Sequence, residues 1–126
     1  MTNYRRFDKD YLTTSELQDN LKNCIGRSTV EIFRCEYDNR PAFAVYHYQA
    51  LIAVYVPILD LFIANYRFYD YSGSTSRVRN EFFRLFSFYQ TAPTTAQFRK
   101  VENTGEVFTS HTINCCVLKL ENERVY

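Results

Sequence analysis

The spacing of apolar residues changes near Gly73, and that change constrains the fold more than any other feature of the chain. Before it, Tyr66, Phe68, Tyr69 and Tyr71 form an aromatic run that reads as a strand. After Ser72-Gly73-Ser74-Thr75-Ser76, the residues Val78, Phe82, Leu85, Phe86 and Tyr89 recur every three to four positions. A strand shows alternate residues to one face, whereas a helix gathers positions three and four apart onto one stripe. The backbone is therefore expected to switch from extended to helical here. The spacing predicts a helix over about 76–89 whose apolar stripe packs on a sheet. Arg77, Asn80, Glu81, Arg84 and Ser87 fall opposite, and Phe83 and Phe88 lie on partly covered margins.

The rest of the chain supplies that sheet. Thr13-Thr14-Ser15 followed by Glu16 has hydroxyls to cap a helix and an acid for its first turn, predicting a helix over about 14–24 with Gly26 as its stop. Ser28 to Tyr37 and Ala42 to Tyr48 read as a hairpin turned by Asp38-Asn39-Arg40-Pro41. Leu51 to Val56 and Leu59 to Tyr66 read as two further strands around Pro57-Ile58, chosen over a buried helix on their Val, Ile, Tyr and Phe content. Thr91-Ala92-Pro93-Thr94-Thr95 is a loop. Gln97 to Glu102 and Val107 to Ser110 follow as a strand pair turned at Asn103-Thr104-Gly105, then Ile113 to Leu120 as a closing strand whose exposed edge permits a homodimer. The fold class is α+β, a mainly antiparallel sheet against one amphipathic helix and an N-terminal helix. With 126 residues, 46% of them apolar, the chain makes one core and one domain over 1–126.

Several function classes are excluded or weakened by composition. A net charge of +1 does not suit a strongly basic nucleic-acid module. Charge is nevertheless uneven, because residues 67–100 hold six basic residues against two acidic ones, a net of +4. Arginine outnumbers lysine 11 to 4, and its planar fork suits carboxylates, phosphates and aromatic faces. Eleven Tyr and eleven Phe with no Trp exceed ordinary usage, so some rings should reach the surface, where Tyr serves recognition. Cys24, Cys35, Cys115 and Cys116 form no disulfide framework, and Cys115 and Cys116, adjacent in a strand, point to opposite faces. The polar N-terminus, Tyr4 to Asp10, resembles no signal peptide, and the Leu51 to Ala64 run is broken by Pro57 and Asp60. The expectation is a cytoplasmic protein with reduced thiols and no membrane span.

Chemistry-bearing constellations are few. Ser74, Thr75 and Ser76 open the helix where N–H groups and hydroxyls converge on an acceptor, and Arg77 and Arg79 in its first turn oppose the helix dipole. Either a bound anion, such as a phosphate or a partner carboxylate, resolves that conflict, or the segment is a plain serine cap beside solvated arginines. It is no Walker loop, lacking the Gly-Lys-Ser/Thr ending. His111 with Cys115, or His47 with Cys35, has no recognised metal or dyad spacing, and Asp8/Asp10 and Glu121/Glu123, near the termini, are expected to face water. No cofactor, metal site or catalytic set is expected.

Tyr48-Gln49-Ala50-Leu51-Ile52-Ala53-Val54-Tyr55, then Tyr71-Ser72-Gly73-Ser74-Thr75-Ser76-Arg77 with Asn80, resembles a small domain of unknown function that recurs in bacteriophage proteins of Gram-positive hosts. The resemblance spans about Tyr46 to Phe86. It breaks at Val56-Pro57-Ile58-Leu59, an apolar tip in place of a polar turn, and at Val78 in place of a histidine. It implies a phage accessory protein acting in the infected host's cytoplasm, in a class rich in inhibitors of host defence, anti-CRISPR proteins among them. The leading expectation is a non-enzymatic, stoichiometric inhibitor of a host nuclease or other defence protein, binding through Tyr69, Tyr71, Arg77, Arg79 and Arg84, since Tyr and Arg dominate interface hot spots. The alternative is a single-stranded nucleic-acid binder that stacks bases on Tyr46, Tyr48, Tyr66 and Phe68 and contacts phosphates through Arg67, Arg77, Arg79 and Arg84.

Overall fold

The computed structural model describes residues 14–25, 29–87, 91–102 and 104–120. The expectations for Gly26, Phe88, Tyr89, Asn103 and both acidic pairs near the termini lie outside them. The protein is an α+β domain. In chain order it runs through α1 (Thr14–Ile25), β1 (Val30–Tyr37), β2 (Arg40–His47), β3 (Ala50–Val56), a 3-10 turn (Pro57–Leu59) and β4 (Leu61–Asn65). It continues through α2 (Gly73–Arg84), α3 (Thr95–Val101), β5 (Phe108–Ser110) and β6 (Ile113–Leu118). The six strands form one sheet in the order β1-β2-β3-β4-β6-β5, antiparallel except for the β4–β6 pair. β6 is therefore an interior strand rather than the exposed edge expected of it, because β5 pairs with its other side.

Two-residue turns join the first three strands. Asp38 and Asn39 (φ 52° and 63°) close the β1–β2 hairpin, where short polar side chains tolerate the left-handed region. Tyr48 and Gln49 (φ 51° and 68°) close β2–β3 without either residue being a usual occupant. At the far end of β3, Asp60 (φ 46°) ends the 3-10 turn, its side chain accepting from Tyr55 O–H at 2.6 Å. That brace holds Ile58 and Leu59 outward as an exposed apolar tip.

All three helices pack on one face of the sheet. Leu17 and Leu21 of α1, Val78, Phe82 and Phe83 of α2 and Phe98 of α3 share a core with Val45, Tyr55, Phe62 and Cys115. Its centre is aromatic, with Phe86 stacked on Tyr55 at 4.0 Å between centroids and Phe62 touching Phe82, Phe83 and Phe98. Offset and edge-on ring pairs add ~0.5–1.5 kcal/mol each beyond burial. Ala44, Tyr46, Val54, Ile63 and Cys116 form a second buried cluster on the opposite face. Cys115 and Cys116 fall one to each cluster, as strand alternation requires.

Three expectations for local structure change. First, the aromatic run is not a strand. β4 stops at Asn65, whose carbonyl accepts from the N–H groups of Phe68 and Tyr69 at 3.0 and 2.9 Å, so residues 66–71 are turns. Second, α2 begins at Gly73 and ends at Arg84, its last turn tightened by bonds from Leu85 to Phe82 and from Phe86 to Phe83. Phe83, placed on a margin by the sequence, is fully buried, whereas Val78, Phe82, Leu85 and Phe86 lie in the core as expected.

Third, residues 97–102 are not a strand, because α3 covers Thr95–Val101. Thr94 accepts from Gln97 N–H at 3.2 Å while Gln97 Oε1 accepts from Thr94 N–H at 2.9 Å, a reciprocal capping box.

Candidate functional site

The turns before Gly73 and the helix that starts there frame a candidate site, though not around the arginines that the sequence singles out. β2 ends at His47, and the left-handed turn throws Tyr48 outward to 66% exposure. Across from it, the turns after Asn65 present Phe68 and Tyr71, the latter 71% exposed, before Ser72 caps α2. Between them lies an open pocket of about 290 Å³ with Ala50 and Ile52 in its wall. His47 and Tyr48 form one ring pair at 4.6 Å, and Phe68 and Tyr71 another at 5.8 Å.

Helix-capping hydroxyls make the polar side of the pocket. Ser72 Oγ accepts from Thr75 N–H at 3.1 Å and donates to Thr75 Oγ1 at 3.0 Å, with Ser74 Oγ at 3.2 Å. Thr75 is buried and lies 3.4 Å from His47 Nδ1. Ser76 N–H donates to Ser72 C=O at 2.9 Å. Of Ser74, Thr75 and Ser76, only Ser74 is exposed, so the cap satisfies itself before it offers anything to a ligand.

The proposed contact residues separate. Tyr71 and Arg77 are exposed. Tyr69 and Arg79, expected at the surface, are 2% and 1% exposed and take no part in it. Arg79 donates to Tyr69 C=O, to Thr95 Oγ1 at 3.1 Å and to Asn80 Oδ1 at 3.1 Å, with its guanidinium over the Phe98 ring at 5.0 Å. Burial lowers its pKa to about 10, against the opposing pull of Asp70 and Tyr69, so it remains charged at neutral pH.

Tyr69 O–H donates to Glu102, and burial together with that acceptor pushes its pKa up to about 12. Arg99 reaches Asp70 at 2.5 Å and Arg84 reaches Glu81. Arg79 and Arg99 are thus struts that fix the 66–71 turns onto α2 and α3, while Arg84 pairs within α2. Sequence reasoning could not separate a strut from a contact, since both are arginines spaced along one helix.

The site also includes His47, which neither expected contact set names, and Tyr48, which is expected only as a base-stacking residue. His47 and Tyr48 qualify through a turn with no Gly, Asn or Asp to announce it. The base-stacking set does not share a sheet face, because Tyr46 is buried in the second cluster, Tyr48 lies in a turn and Tyr66 and Phe68 follow the end of β4. His47 pairs opposite Val30, five residues along β1 from Cys35, so those two form no dyad. Among the described residues no group of three or more His, Cys, Asp and Glu is placed to hold a metal ion, and no helix is long and apolar enough to cross a membrane.

Fold and site together define a class, a one-sheet α+β domain with an aromatic-rimmed pocket at the mouth of a self-capped helix. No family model, curated protein or solved structure matches the chain.

Proposed function

We propose that the protein is a non-catalytic recognition domain that binds a partner protein at the rim formed by Tyr48 and Tyr71, with Arg77 beside it on α2. In the setting the phage-domain resemblance implies, that partner is a host nuclease or other defence protein, inhibited stoichiometrically in the infected cell's cytoplasm. The observation that carries this reading is the pair of tyrosines, both lining one pocket and both largely exposed, whereas most other rings among the described residues pack inside. Tyrosine offers apolar area and a hydroxyl at low entropic cost, which makes it a common anchor at interfaces. Tyr48 is moreover held in a backbone conformation that costs ~1–3 kcal/mol for a bulky residue, a kind of strain that clusters at ligand clamps.

The nucleic-acid alternative loses its sheet platform and two of its four arginine contacts weaken: Arg79 is buried and Arg84 pairs with Glu81, which leaves Arg67 and Arg77 well exposed. The discriminating experiment uses tagged wild type and a Tyr48→Ala, Tyr71→Ala double variant as bait against purified host nuclease complexes. Capture by wild type and at least tenfold weaker capture by the double variant is expected, since hot-spot truncations cost ~2 kcal/mol or more. Equal capture by both would remove the rim from the interface. Fluorescence anisotropy with labelled single strands at low and high salt forms the second arm, and tight binding that weakens steeply with salt would favour the nucleic-acid role.

A further inference from the structure

β1 is the outermost strand of the sheet, so one of its sides has no neighbouring strand. Two observations fix which residues face that way. Thr29 C=O accepts from Tyr48 N–H at 3.1 Å, which turns the odd-numbered residues toward β2. Gln18 of α1 donates to Val30 C=O at 2.6 Å and accepts from Ile32 N–H at 2.5 Å, which turns the even-numbered ones outward. The β1–β2 register runs without a bulge from Val30↔His47 to Tyr37↔Arg40, so the alternation continues and Arg34 and Glu36 also present N–H and C=O outward.

The Gln18 side-chain amide sits where a peptide unit of a further strand would sit, and it blunts that end of the edge. Beyond it, among the described residues, nothing pairs with the outward main-chain groups of Arg34 and Glu36, and both side chains are exposed. β1 carries no Lys and no proline within this window, two of the devices that protect an edge, and its two charges there, Arg34 and Glu36, are of opposite sign, whereas the opposite edge, β5, is only three residues long.

We propose that a second copy of this chain adds to that window, β1 pairing antiparallel with β1 of the other copy about a two-fold axis at Cys35. In this register Arg34 and the partner's Glu36 exchange both main-chain hydrogen bonds, and Glu36 and the partner's Arg34 do the same, using every open group of the two residues. The side chains complement each other on both faces. Toward the helices, Arg34 lies across from the partner's Glu36 and Glu36 across from the partner's Arg34. On the other face Phe33 lies across from the partner's Tyr37 and Tyr37 across from the partner's Phe33, all four rings being half-buried at the edge of the single chain. Aromatic and opposite-charge cross-strand pairs are the favourable ones.

Cys35 meets the partner's Cys35 in a non-hydrogen-bonded position, where Cα atoms approach to ~4.5 Å. Sliding the register by two residues toward Ile32 puts Arg34 against the partner's Arg34 and asks for the Ile32 N–H that Gln18 already holds. The self-complementary register is therefore singled out, and the isologous contact closes at two copies.

Light scattering coupled to size exclusion, on the full chain under reducing conditions, should give twice the 15.0 kDa chain mass, falling on dilution. Arg34→Glu and Glu36→Arg should each give the single-chain mass at the same concentration, and the double variant should restore the dimer, which also shows that the single variants had not merely unfolded. Burial and Glu36 push the Cys35 thiol up to about 11, so little thiolate forms at neutral pH, and a bridge, which removes two electrons, is driven with an added oxidant. With diamide, two Cys35 thiols give up their hydrogens to the reagent and join as one disulfide; the doubled band on a non-reducing gel should vanish in Cys35→Ser. A wild type of single-chain mass throughout the series, or a dimer indifferent to Arg34→Glu, would overturn the proposal, as would a double variant that stays monomeric.

Discussion

Tyr48 and Asn65 show how single residues set this site. Tyr48 sits at φ 51°, where a side chain with a Cβ is strained, yet no glycine replaces it. Tyr48→Gly should therefore raise the urea midpoint, corresponding to a stabilisation of up to about 1 kcal/mol, while weakening partner capture. A lower midpoint would mean that the ring packs more tightly than its exposure suggests. Asn65 works in the opposite way. It is fully buried, donates to Leu51 C=O at 2.8 Å and accepts from Leu120 N–H at 3.3 Å and Arg67 N–H at 3.4 Å. Asn65→Ala leaves those main-chain groups without the side chain that satisfies them, so a loss of about 1–3 kcal/mol in chemical denaturation is expected. An unaffected midpoint would show that water replaces the amide.

At the scale of elements, the α3 segment illustrates a competition between pattern and cap. The turn residues Asn103-Thr104-Gly105 suggest that Gln97 to Glu102 is one arm of a hairpin, but Thr94 and Gln97 stand three apart, the spacing of a capping box. Phe98 and Val101, also three apart, both face the core, which a helix permits and a strand does not. Thr94→Ala should destabilise the protein by about 0.5–2 kcal/mol, with faster amide exchange concentrated in α3. Loss spread evenly over the sheet would contradict that account. A similar competition ended β4 early: the ring-rich composition of residues 66–71 favours strand, but Asn65 supplies a carbonyl and an amide that close turns. Tyr69 and Arg79 lie inside rather than at the surface for that reason, since a turn at 66–71 carries Tyr69 inward over α3 and draws Arg79 to its carbonyl.

For the molecule as a whole, buried acids of high pKa set an alkaline limit. Tyr69 titrates at about 12 in the folded chain against 10.0 ordinarily, and Cys115 and Cys116 at about 12 and 11 against 9.0, each because burial disfavours the anion. A folded pKa above the unfolded one gives stability that is complete below the unfolded pKa and is lost as pH rises through the folded one. Stability should thus decline from about pH 9 and steepen between 10 and 12. Tyr69→Phe should flatten the upper part of that profile, leaving the thiol portion. Urea midpoints measured across this range check both statements, and a flat wild-type profile would refute them.

From its order of residues alone, the chain determined the α+β class, the first four strands and the helix after Gly73, because alternation and helical spacing are local properties that the backbone must satisfy wherever it lies. The pairing of Thr94 with Gln97 was equally local and could have been read. What only the tertiary structure decided was which side chains of that basic, aromatic stretch face water. Arg77 and Arg79 are two residues apart and chemically identical, yet one is exposed and the other lies under Tyr69 and Thr95. The difference arises from contacts between segments distant along the chain, and so do the pocket between two turns and the open edge of β1. Burial is a property of the packed molecule, because it depends on what arrives from elsewhere in the sequence to exclude water.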